Sequence, residues 1–369
     1  MPDRAPVKIA IIGAGGWAQR AHIPSFLRCP DAHVVAICDV NLELARQVAE
    51  RFHIAKVYRD YHELLDTEQV DVVDVCASAL SHFEIASEAI KRRKSVLCEK
   101  PLATNLEQAR SLQRLAEEAG VKTKMGFTYR YSPALRYFKE LVEEGFVGQR
   151  YLFNGFEQNS QFINPKTPFR WNPSKDASRI MAGSLEEYAP HLIDIALWLM
   201  GDITEVTGKM RNFIPERNIR DIGKIMPINI EDATVWLADF EDGAIGTFQS
   251  SFIAIGGYPG MEVRVYGSKG AIVARLIEEF GIHETLSTAT PDHPEYKLIS
   301  IPDHFYPQGY SKEDHWVESY FGNLVRSFVR EVLDNKMPEA GFGDGARAQE
   351  VEDAVYLSHL RGQTVRLPF

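Results

Sequence analysis

A glycine-rich stretch near the start of the chain constrains its fold most strongly. Residues 9–21 read IAIIGAGGWAQRA, and the glycines follow directly on Val7–Ile12, a short run rich in β-branched residues. Such a run without polar alternation predicts a strand that is buried on both faces of a parallel sheet. Gly13, Gly15 and Ala18 fall on the small-residue positions of the pattern GxGxxG/A. These positions permit a tight turn, close approach of a pyrophosphate and close helix packing, so the stretch predicts a phosphate-binding turn that opens a helix.

Asp39 lies at the end of the second strand-like run, which covers residues 33–38. At that place a carboxylate accepts hydrogen bonds from the ribose hydroxyls of adenosine and repels the 2′-phosphate of NADP. Val40 and Asn41 follow, so no Arg or Lys is adjacent to bind a phosphate. The pattern therefore predicts a dinucleotide site that prefers NAD to NADP. The alternative is a glycine turn that binds nothing, followed by an Asp that caps a helix.

Composition excludes several classes of protein. A chain of 369 residues with 45% apolar residues is long enough for two domains with filled cores. A net charge of −10 without any basic block argues against nucleic acid or an anionic membrane as a partner. No apolar run has the length of a membrane span or the form of a signal peptide, so we expect a cytoplasmic protein. The four cysteines form no CxxC pair, which predicts reduced thiols and no metal site.

Strand and helix patterns alternate through the first 127 residues. This alternation predicts an α/β fold with a doubly wound parallel sheet of the Rossmann type, in which ligands bind at the carboxyl ends of the strands. Ser78, His82 and Lys100 each follow a strand-like run and so belong to that edge of the sheet. We expect residues 1–127 to form an NAD(P)-binding domain.

The pattern changes in residues 128–369. A helical stretch is expected over residues 184–200, and several alternating runs with glycine-containing turns follow it. One of these turns, Asp242-Gly243, separates two strand patterns and predicts a hairpin. These features predict a C-terminal α+β domain with an open, mostly antiparallel sheet and with a helix over residues 316–333 as its cover.

Four features together resemble the Gfo/Idh/MocA family of sugar and cyclitol oxidoreductases. They are the GAGGWA turn, Asp39, the triplet Glu99-Lys100-Pro101 after the fifth Rossmann strand, and Glu187 with His191. The resemblance extends over nearly the whole chain and implies a Rossmann domain, an open-faced sheet domain for substrate binding, and NAD as cofactor. It also implies a homodimer or homotetramer that assembles through the second sheet. The residues assigned to the cofactor site are Gly13, Gly15, Gly16, Trp17, Ala18, Asp39, Ser78, His82, Glu99 and Lys100.

Two motifs depart from the pattern of this family. The usual Asp four residues before the histidine and Gly two residues before it are Glu187 and Ala189 here, and Pro190 follows. The exchange of Asp for Glu keeps a carboxylate but moves it by one methylene group. The frequent Thr-Pro-Asn before the fourth-strand histidine reads Ala-Ser-Ala at residues 77–79.

Lys100, His191 and Glu187 are the predicted catalytic residues. Oxidation of a secondary alcohol needs a base for the hydroxyl proton and a positive group for the developing oxyanion. We assign His191 as the general acid/base, oriented by Glu187 four residues earlier on the same helix face. Lys100 would hydrogen-bond the reacting oxygen and counter its negative charge. The alternatives are a solvated lysine at a strand end and an ordinary surface pair of polar residues on a helix.

Substrate-binding residues are expected in a long polar loop, residues 158–182. The loop carries Arg170 and Trp171 among many hydrogen-bonding and aromatic side chains, which suit a polyhydroxylated ring. Tyr129 follows the last Rossmann strand and is assigned to the same site, as are the three catalytic residues. Trp17, which follows the phosphate loop, is expected either to cover the cofactor or merely to pack within the protein.

The predicted function is an NAD-dependent dehydrogenase that oxidises a secondary hydroxyl group of a sugar, a sugar derivative or an inositol. Three alternatives remain at this point. An NADP-linked reductase would run the reaction in the opposite direction, which Asp39 disfavours. A redox-neutral enzyme of the glycosidase type would hold NAD tightly and show no net change in absorbance. A dinucleotide or sugar sensor would bind NAD without turnover, and the presence of Lys100 and His191 argues against it.

Overall fold

The fold is described from a computed structural model, for residues 4–169, 183–220, 222–256, 260–277, 284–310 and 314–369. The chain forms two compact units, and each is built from two stretches of sequence. The first unit comprises Met1–Ser132 with Tyr306–Gln349, and the second comprises Pro133–Phe305 with Glu350–Phe369. This division differs from the predicted boundary at residue 127, because residues 306–349 return to the first unit.

The first unit contains a six-stranded parallel sheet, as the repeated strand–helix pattern predicts. Its strands are β1 (Val7–Ile12), β2 (Ala32–Cys38), β3 (Lys56–Tyr58), β4 (Val72–Val75), β5 (Ser95–Cys98) and β6 (Thr123–Met125). Their order in the sheet is β3-β2-β1-β4-β5-β6, and every neighbouring pair is parallel. Because β1 and β4 are neighbours but not consecutive, the chain leaves their carboxyl ends in opposite directions and a crevice opens there.

The helices begin and end largely where their capping residues predict. Asn41 accepts a hydrogen bond from the amide of Leu44 at the start of the helix Leu42–Phe52, and Gly120, with a φ of +66°, ends the helix Leu106–Ala119. The chain also contains a π-helical turn, Ala18–His22, and a 3-10 turn, Thr128–Tyr131. The helices of the described residues are α1 (Ile23–Leu27), α2 (Leu42–Phe52), α3 (Tyr61–Thr67), α4 (Ala79–Lys91), α5 (Leu106–Ala119), α6 (Pro133–Glu143), α7 (Ser184–Glu187), α8 (Ala189–Met200), α9 (Trp316–Leu333) and α10 (Phe342–Arg361).

The helix over residues 316–333 forms as predicted, but the expectation that it covers the second sheet is wrong. α9 packs instead against α1, β1 and the two helical turns of the first unit. Its aromatic residues account for this position. The ring of Phe321 lies 4.3 Å from the ring of His22 and 6.2 Å from the ring of Trp17, measured between centroids.

The second unit contains a nine-stranded, mostly antiparallel sheet, again as predicted. The strands are β7 (Arg150–Gln158), β8 (Ile203–Arg211), β9 (Glu216–Ile219), β10 (Lys224–Pro227), β11 (Ala233–Phe240), β12 (Ile245–Ser251), β13 (Gly260–Gly267), β14 (Ala271–Ile277), β15 (Thr285–Thr290), β16 (His293–Ile299) and β17 (Val365–Arg366). β9 and β10 form a separate hairpin, and the large sheet has the order β16-β15-β14-β13-β7-β12-β11-β8-β17. Its described pairs are antiparallel except β7 with β12. The predicted turn at Asp242-Gly243 joins β11 to β12, and Gly243 has a φ of +85°.

The two faces of the large sheet differ in burial. On one face Trp236 and Phe248 stack with ring centroids 4.8 Å apart, and both side chains are buried. On the other face Leu237 and Ile245 keep 52% and 47% of their surface exposed, and Ile245 is paired with Leu152, which is 43% exposed. This alternation along each strand leaves an apolar row uncovered within the second unit.

The predicted helical stretch over residues 184–200 is two helices rather than one. α7 ends at Glu187, and α8 begins at Ala189 after Tyr188, whose φ and ψ are −111° and −43°. Pro190 accounts for the interruption, because proline has no amide hydrogen to continue the helical hydrogen bonds. No helix among the described residues is long and apolar enough to cross a membrane. The four cysteines are free, and Cys29, Cys38 and Cys98 are buried.

Candidate functional site

Gly13 shapes the loop that follows β1. Its φ is +111°, a conformation that residues with a side chain rarely adopt. A Cβ atom at this position would lie 2.5 Å from the carbonyl oxygen of Cys76, which follows β4. The backbone at the ends of β1 and β4 therefore approaches so closely that only glycine fits. The tight turn predicted from the sequence pattern is present, and its position is the crevice of the parallel sheet.

The next two glycines face open space rather than other parts of the protein. A Cβ atom on Gly15 or Gly16 would meet no atom within 4 Å. Ala18, by contrast, is completely buried and begins the π-helical turn. The loop thus presents bare backbone on one side and packs tightly on the other. This arrangement fits a pyrophosphate, because a phosphate group needs close access to backbone N–H groups at a helix start.

Asp39 is joined to the same loop by hydrogen bonds. Its Oδ2 accepts one from the backbone N–H of Ala14, and its Oδ1 accepts one from Asn41, both at 2.8 Å. Each carboxylate oxygen retains a further lone pair for a ribose hydroxyl. The glycine loop therefore fits the pyrophosphate of NAD, and Asp39 fits the hydroxyl groups of its adenosine ribose.

His82 lies in the first turn of α4 and bridges two neighbouring loops. Its Nδ1 is 2.7 Å from the carbonyl oxygen of Pro101, and its Nε2 is 3.1 Å from that of Ala77. Burial lowers the pKa of His82, although both carbonyl groups favour the protonated ring. The neutral ring donates to one of the two carbonyls and ties α4 to the turn after β5. Ser78 precedes the helix, and its side chain makes no capping hydrogen bond.

The triplet Glu99-Lys100-Pro101 forms the turn directly after β5. Glu99 is buried, and its Oε2 accepts a hydrogen bond of 3.3 Å from the backbone N–H of Lys100. Lys100 is half-buried and precedes a cis peptide bond to Pro101. The lysine therefore extends from the carboxyl edge of the same sheet that carries the glycine loop, one strand beyond β4.

Trp17 connects the glycine loop to this turn. Its indole Nε1 donates a 3.1 Å hydrogen bond to Oε1 of Glu99. Its rings pack beside Trp316 of α9, with centroids 6.3 Å apart. Tyr129 is also buried against α9 and stacks on Trp316 at 5.7 Å. Both aromatic residues thus pack within the first unit, and the assignment of Tyr129 to the substrate site stays a prediction.

Glu187 and His191 lie in the second unit, on α7 and α8 respectively. The predicted placement on one face of a continuous helix does not apply, because the chain turns between them. The backbone N–H of His191 bonds to the carbonyl oxygen of Tyr188 at 3.2 Å, one residue closer than in an α-helix. Their catalytic roles stay predictions. Arg170 and Trp171 lie outside the described residues.

Two buried residues near the glycine loop were not predicted from the sequence. His22 and Asp74 are both fully buried. The imidazole Nδ1 lies 2.9 Å from both carboxylate oxygens of Asp74, and Nε2 lies 3.1 Å from Oε1 of Glu99. One signal was present in the sequence: Asp74 interrupts the otherwise apolar run VVDV of β4, and a buried carboxylate needs a partner.

The sequence matches family models over both units. Residues 7–127 match the model described as an oxidoreductase family with an NAD-binding Rossmann fold, and residues 135–273 match the GFO/IDH/MocA C-terminal domain. The chain belongs to the Gfo/Idh/MocA family of oxidoreductases. Its cofactor is NAD, as the glycine loop and Asp39 predict.

Several similar proteins are named as dehydrogenases of sugars or inositols. The chain is 24% identical to levoglucosan dehydrogenase of Pseudarthrobacter phenanthrenivorans and 28% identical to myo-inositol 2-dehydrogenase of Thermotoga maritima, over 98% of each chain in both cases. The crystal structure of an oxidoreductase domain protein from Kribbella flavida has a TM-score of 0.88 and 26% identity. It covers 99% of this chain and 100% of its own. The chain thus belongs to an oxidoreductase family with an NAD-binding Rossmann domain, and similar proteins include ones named as sugar and inositol dehydrogenases.

Proposed function

We propose that this protein oxidises one secondary hydroxyl group of a sugar, a sugar derivative or an inositol. The strongest support is the placement of three groups at the carboxyl edge of one parallel sheet. The glycine loop follows β1, Asp39 follows β2, and the turn that carries Lys100 follows β5. Bound NAD supplies the acceptor for a hydride. The nearby cation, Lys100, would then hold the oxygen whose carbon is oxidised.

Lys100 is proposed to hydrogen-bond the reacting oxygen of the substrate. As the hydroxyl proton leaves, this oxygen gains negative charge, and an ammonium group beside it lowers the barrier more than it strengthens ground-state binding. Glu99 supports this role, because its carboxylate accepts a hydrogen bond from the backbone N–H of Lys100. This hydrogen bond restrains the backbone of the lysine.

His191 is proposed as the group that accepts the hydroxyl proton, and Glu187 as the residue that orients it. Imidazole is the side chain whose ordinary pKa suits proton transfer near neutral pH. Glu187 is the last residue of α7, and His191, which is half-buried, lies in the first turn of α8. The resemblance to the family carries this assignment, since the four-residue spacing is retained across the break between α7 and α8.

The relatives support a polyhydroxylated ring as the substrate class. One is named for levoglucosan, an anhydro sugar, and another for myo-inositol. Both molecules present several secondary hydroxyl groups on a rigid ring. Their rigidity lowers the entropy lost on binding, so a site with a few well-placed polar groups suffices.

The uncovered apolar row of the large sheet supports assembly into a homodimer or homotetramer. Leu152, Leu237 and Ile245 lie on this face and are each more than 40% exposed. A second copy of the chain that presents the same face would bury the row by two-fold symmetry.

The function is tested by following the absorbance of reduced nicotinamide with purified protein. The panel contains inositols, anhydro sugars, aldoses, amino sugars and uronic acids, each offered with NAD and separately with NADP. Reduction of NAD by one member supports the proposal and identifies the substrate class. No reduction by any member, with NAD released only on denaturation, would instead indicate a redox-neutral enzyme or a sensor. A preference for NADP would contradict the role of Asp39.

A further inference from the structure

His22, Asp74 and Glu99 form a buried cluster of titratable side chains in the first unit. Asp74 lies in the middle of a parallel strand whose other three residues are completely buried. An unpaired carboxylate in such a place would strongly destabilise the protein. His22 supplies the partner, from the turn that directly follows the glycine loop. The cluster therefore joins β4 to the element that opens the cofactor site.

The geometry around His22 suits a ring with two N–H donors. Nδ1 faces Asp74, and Nε2 faces Glu99, so both ring nitrogens point at carboxylate oxygens. A neutral imidazole has a single N–H, whereas the imidazolium has two. Burial lowers the pKa of His22, but the charge of Asp74, its hydrogen bond to the ring and the interaction with Cys76 together outweigh burial and raise the pKa well above the ordinary value. Burial also raises the pKa of the Cys76 thiol.

Glu99 connects His22 to the turn that carries Lys100. Its Oε1 is shared by the His22 ring and the indole of Trp17, while its Oε2 accepts from the backbone of Lys100. A Cβ atom on Gly126 would lie 2.5 Å from Oε1, so the backbone closes the remaining side. The carboxylate thus has little freedom to move, and the backbone of Lys100 is bonded to it.

We propose that His22 is a positioning residue that holds Glu99, and through it Lys100, in the orientation needed for hydride transfer. His22 is fully buried, and it would act through Glu99 and Lys100 rather than on the substrate itself. This inference rests on the proposed role of Lys100, but the charge state of His22 is measurable without any substrate. Loss of His22 would leave two buried carboxylates without their common counter-ion, so Glu99 would shift and Lys100 would follow.

Two variants separate the hydrogen bond to Glu99 from the loss of charge. In His22→Gln the side-chain amide replaces Nε2 and keeps a donor towards Glu99. In His22→Asn it replaces Nδ1 and keeps a donor towards Asp74. Both remove the positive charge. If Glu99 is the link, kcat falls about 10- to 100-fold in the asparagine variant, as for a misplaced catalytic group, and clearly less in the glutamine variant, while the KM for NAD changes little in both.

Leu64→Ala serves as the control for stability, because it removes a completely buried side chain of α3 and none of the hydrogen bonds of the cluster. The thermal midpoint of every variant is measured alongside its kinetics. If the asparagine variant loses no more kcat than Leu64→Ala at a comparable loss of stability, His22 has a structural role alone and the inference is wrong. Equal losses of kcat in the two His22 variants would exclude Glu99 as the link.

A spectroscopic measurement tests the same inference without turnover. Histidine labelled with ¹³C at Cε1 is followed by NMR from pH 5 to pH 9, and the His22 signal is assigned from its absence in His22→Asn. We expect this signal to keep the chemical shift of an imidazolium throughout the range. A titration near the ordinary pKa of histidine would overturn the inference. If the wild-type protein shows no dehydrogenase activity, the proposed function fails, and the titration still decides the charge of His22.

Discussion

Lys100 is the residue on which the proposed chemistry depends most. Replacing it by Met keeps the length and apolar stem of the side chain but removes the charge that would stabilise the developing oxyanion. We expect kcat to fall about 100- to 1000-fold, the usual cost of losing one such group. NAD binding, measured by titration of protein fluorescence, should change much less, because the glycine loop and Asp39 are intact.

Lys91→Met is the matched control for this prediction. Lys91 lies in the last turn of α4 with 63% of its side chain exposed, so its replacement changes the net charge equally without altering the site. Full activity of Lys100→Met would show that the charge of Lys100 takes no part in catalysis.

Glu231 provides a residue-scale test of the second unit. Its Oε1 accepts a 2.7 Å hydrogen bond from the backbone of Leu185, and burial raises its pKa to about 7. Because the folded protein then holds a proton that the unfolded chain has lost, stability falls as the pH rises from about 4.5 to about 7. In Glu231→Gln this loss disappears, so the free energy of unfolding of the variant relative to wild type should improve between pH 5 and pH 8, by at most about 3 kcal/mol.

Urea unfolding at the two pH values measures this difference. A wild-type protein and a Glu231→Gln variant whose stabilities change in parallel with pH would show that Glu231 is ionised at both pH values.

Sequence spacing was informative at the residue scale only where the contacts are local. Gly13 and Asp39 were predictable because the strand–turn–helix unit places them at fixed offsets. His22 and Asp74 are separated by 52 residues, and their pairing depends on β1 and β4 being neighbours. That adjacency follows from the topology of the sheet, which no local pattern records.

Two substitutions in the glycine loop should have different effects, one on the stability of the fold and the other on cofactor binding. Gly13→Ala places a Cβ atom against the backbone of Cys76 at a positive φ, so we expect a loss of stability of about 2 kcal/mol or more. Gly15→Ala meets open space within the protein and should leave the thermal midpoint within about 2 °C of wild type. The added methyl group would nevertheless lie where the pyrophosphate binds and weaken NAD binding about tenfold or more, which is at least ~1.4 kcal/mol.

Calorimetric titration with NAD and thermal unfolding without it measure the two effects independently. Unchanged NAD affinity in Gly15→Ala would contradict the placement of the pyrophosphate on this loop.

Helices and strands were predictable where the periodicity of apolar residues was strong. They were not predictable where contacts between distant parts of the chain determine whether an element forms or where it ends. The β11–β12 hairpin formed at its Asp242-Gly243 turn, as the alternating runs indicated. The break between α7 and α8 was missed, although Pro190 was visible, because the apolar periodicity continues through it. β16 was also missed: its residues are almost all exposed, so it lacks the alternation that marks a half-buried strand.

At the scale of the molecule, the open face of the large sheet should determine the state of assembly. Leu237→Glu introduces a charge in the middle of the apolar row, and burial of an unpaired charge at an interface costs several kcal/mol. We expect sedimentation velocity to show a dimer or tetramer for the wild-type protein and a smaller species for this variant. Leu360→Glu, at an exposed position of α10, is the control and should assemble normally. A wild-type monomer would contradict the proposed assembly.

The two-unit organisation was predictable from length and from the change of pattern near residue 128, but the path of the chain was not. Residues 306–349 return to the first unit, and α9 supplies Trp316 and Phe321 to the aromatic cluster around Trp17. The apolar face of α9 predicts that the helix packs against one of the two sheets. Which sheet it joins is decided by shape complementarity, and periodicity carries no information about that.

Transfer of deuterium tests the proposed function most directly. The protein is given NAD and the substrate found in the panel, labelled with deuterium on the carbon that bears the reacting hydroxyl group, and the products are analysed by mass spectrometry. We expect one deuterium in the reduced nicotinamide for each molecule of ketone formed. Deuterium that returns to the sugar without accumulation of reduced nicotinamide would contradict it and indicate a redox-neutral reaction instead.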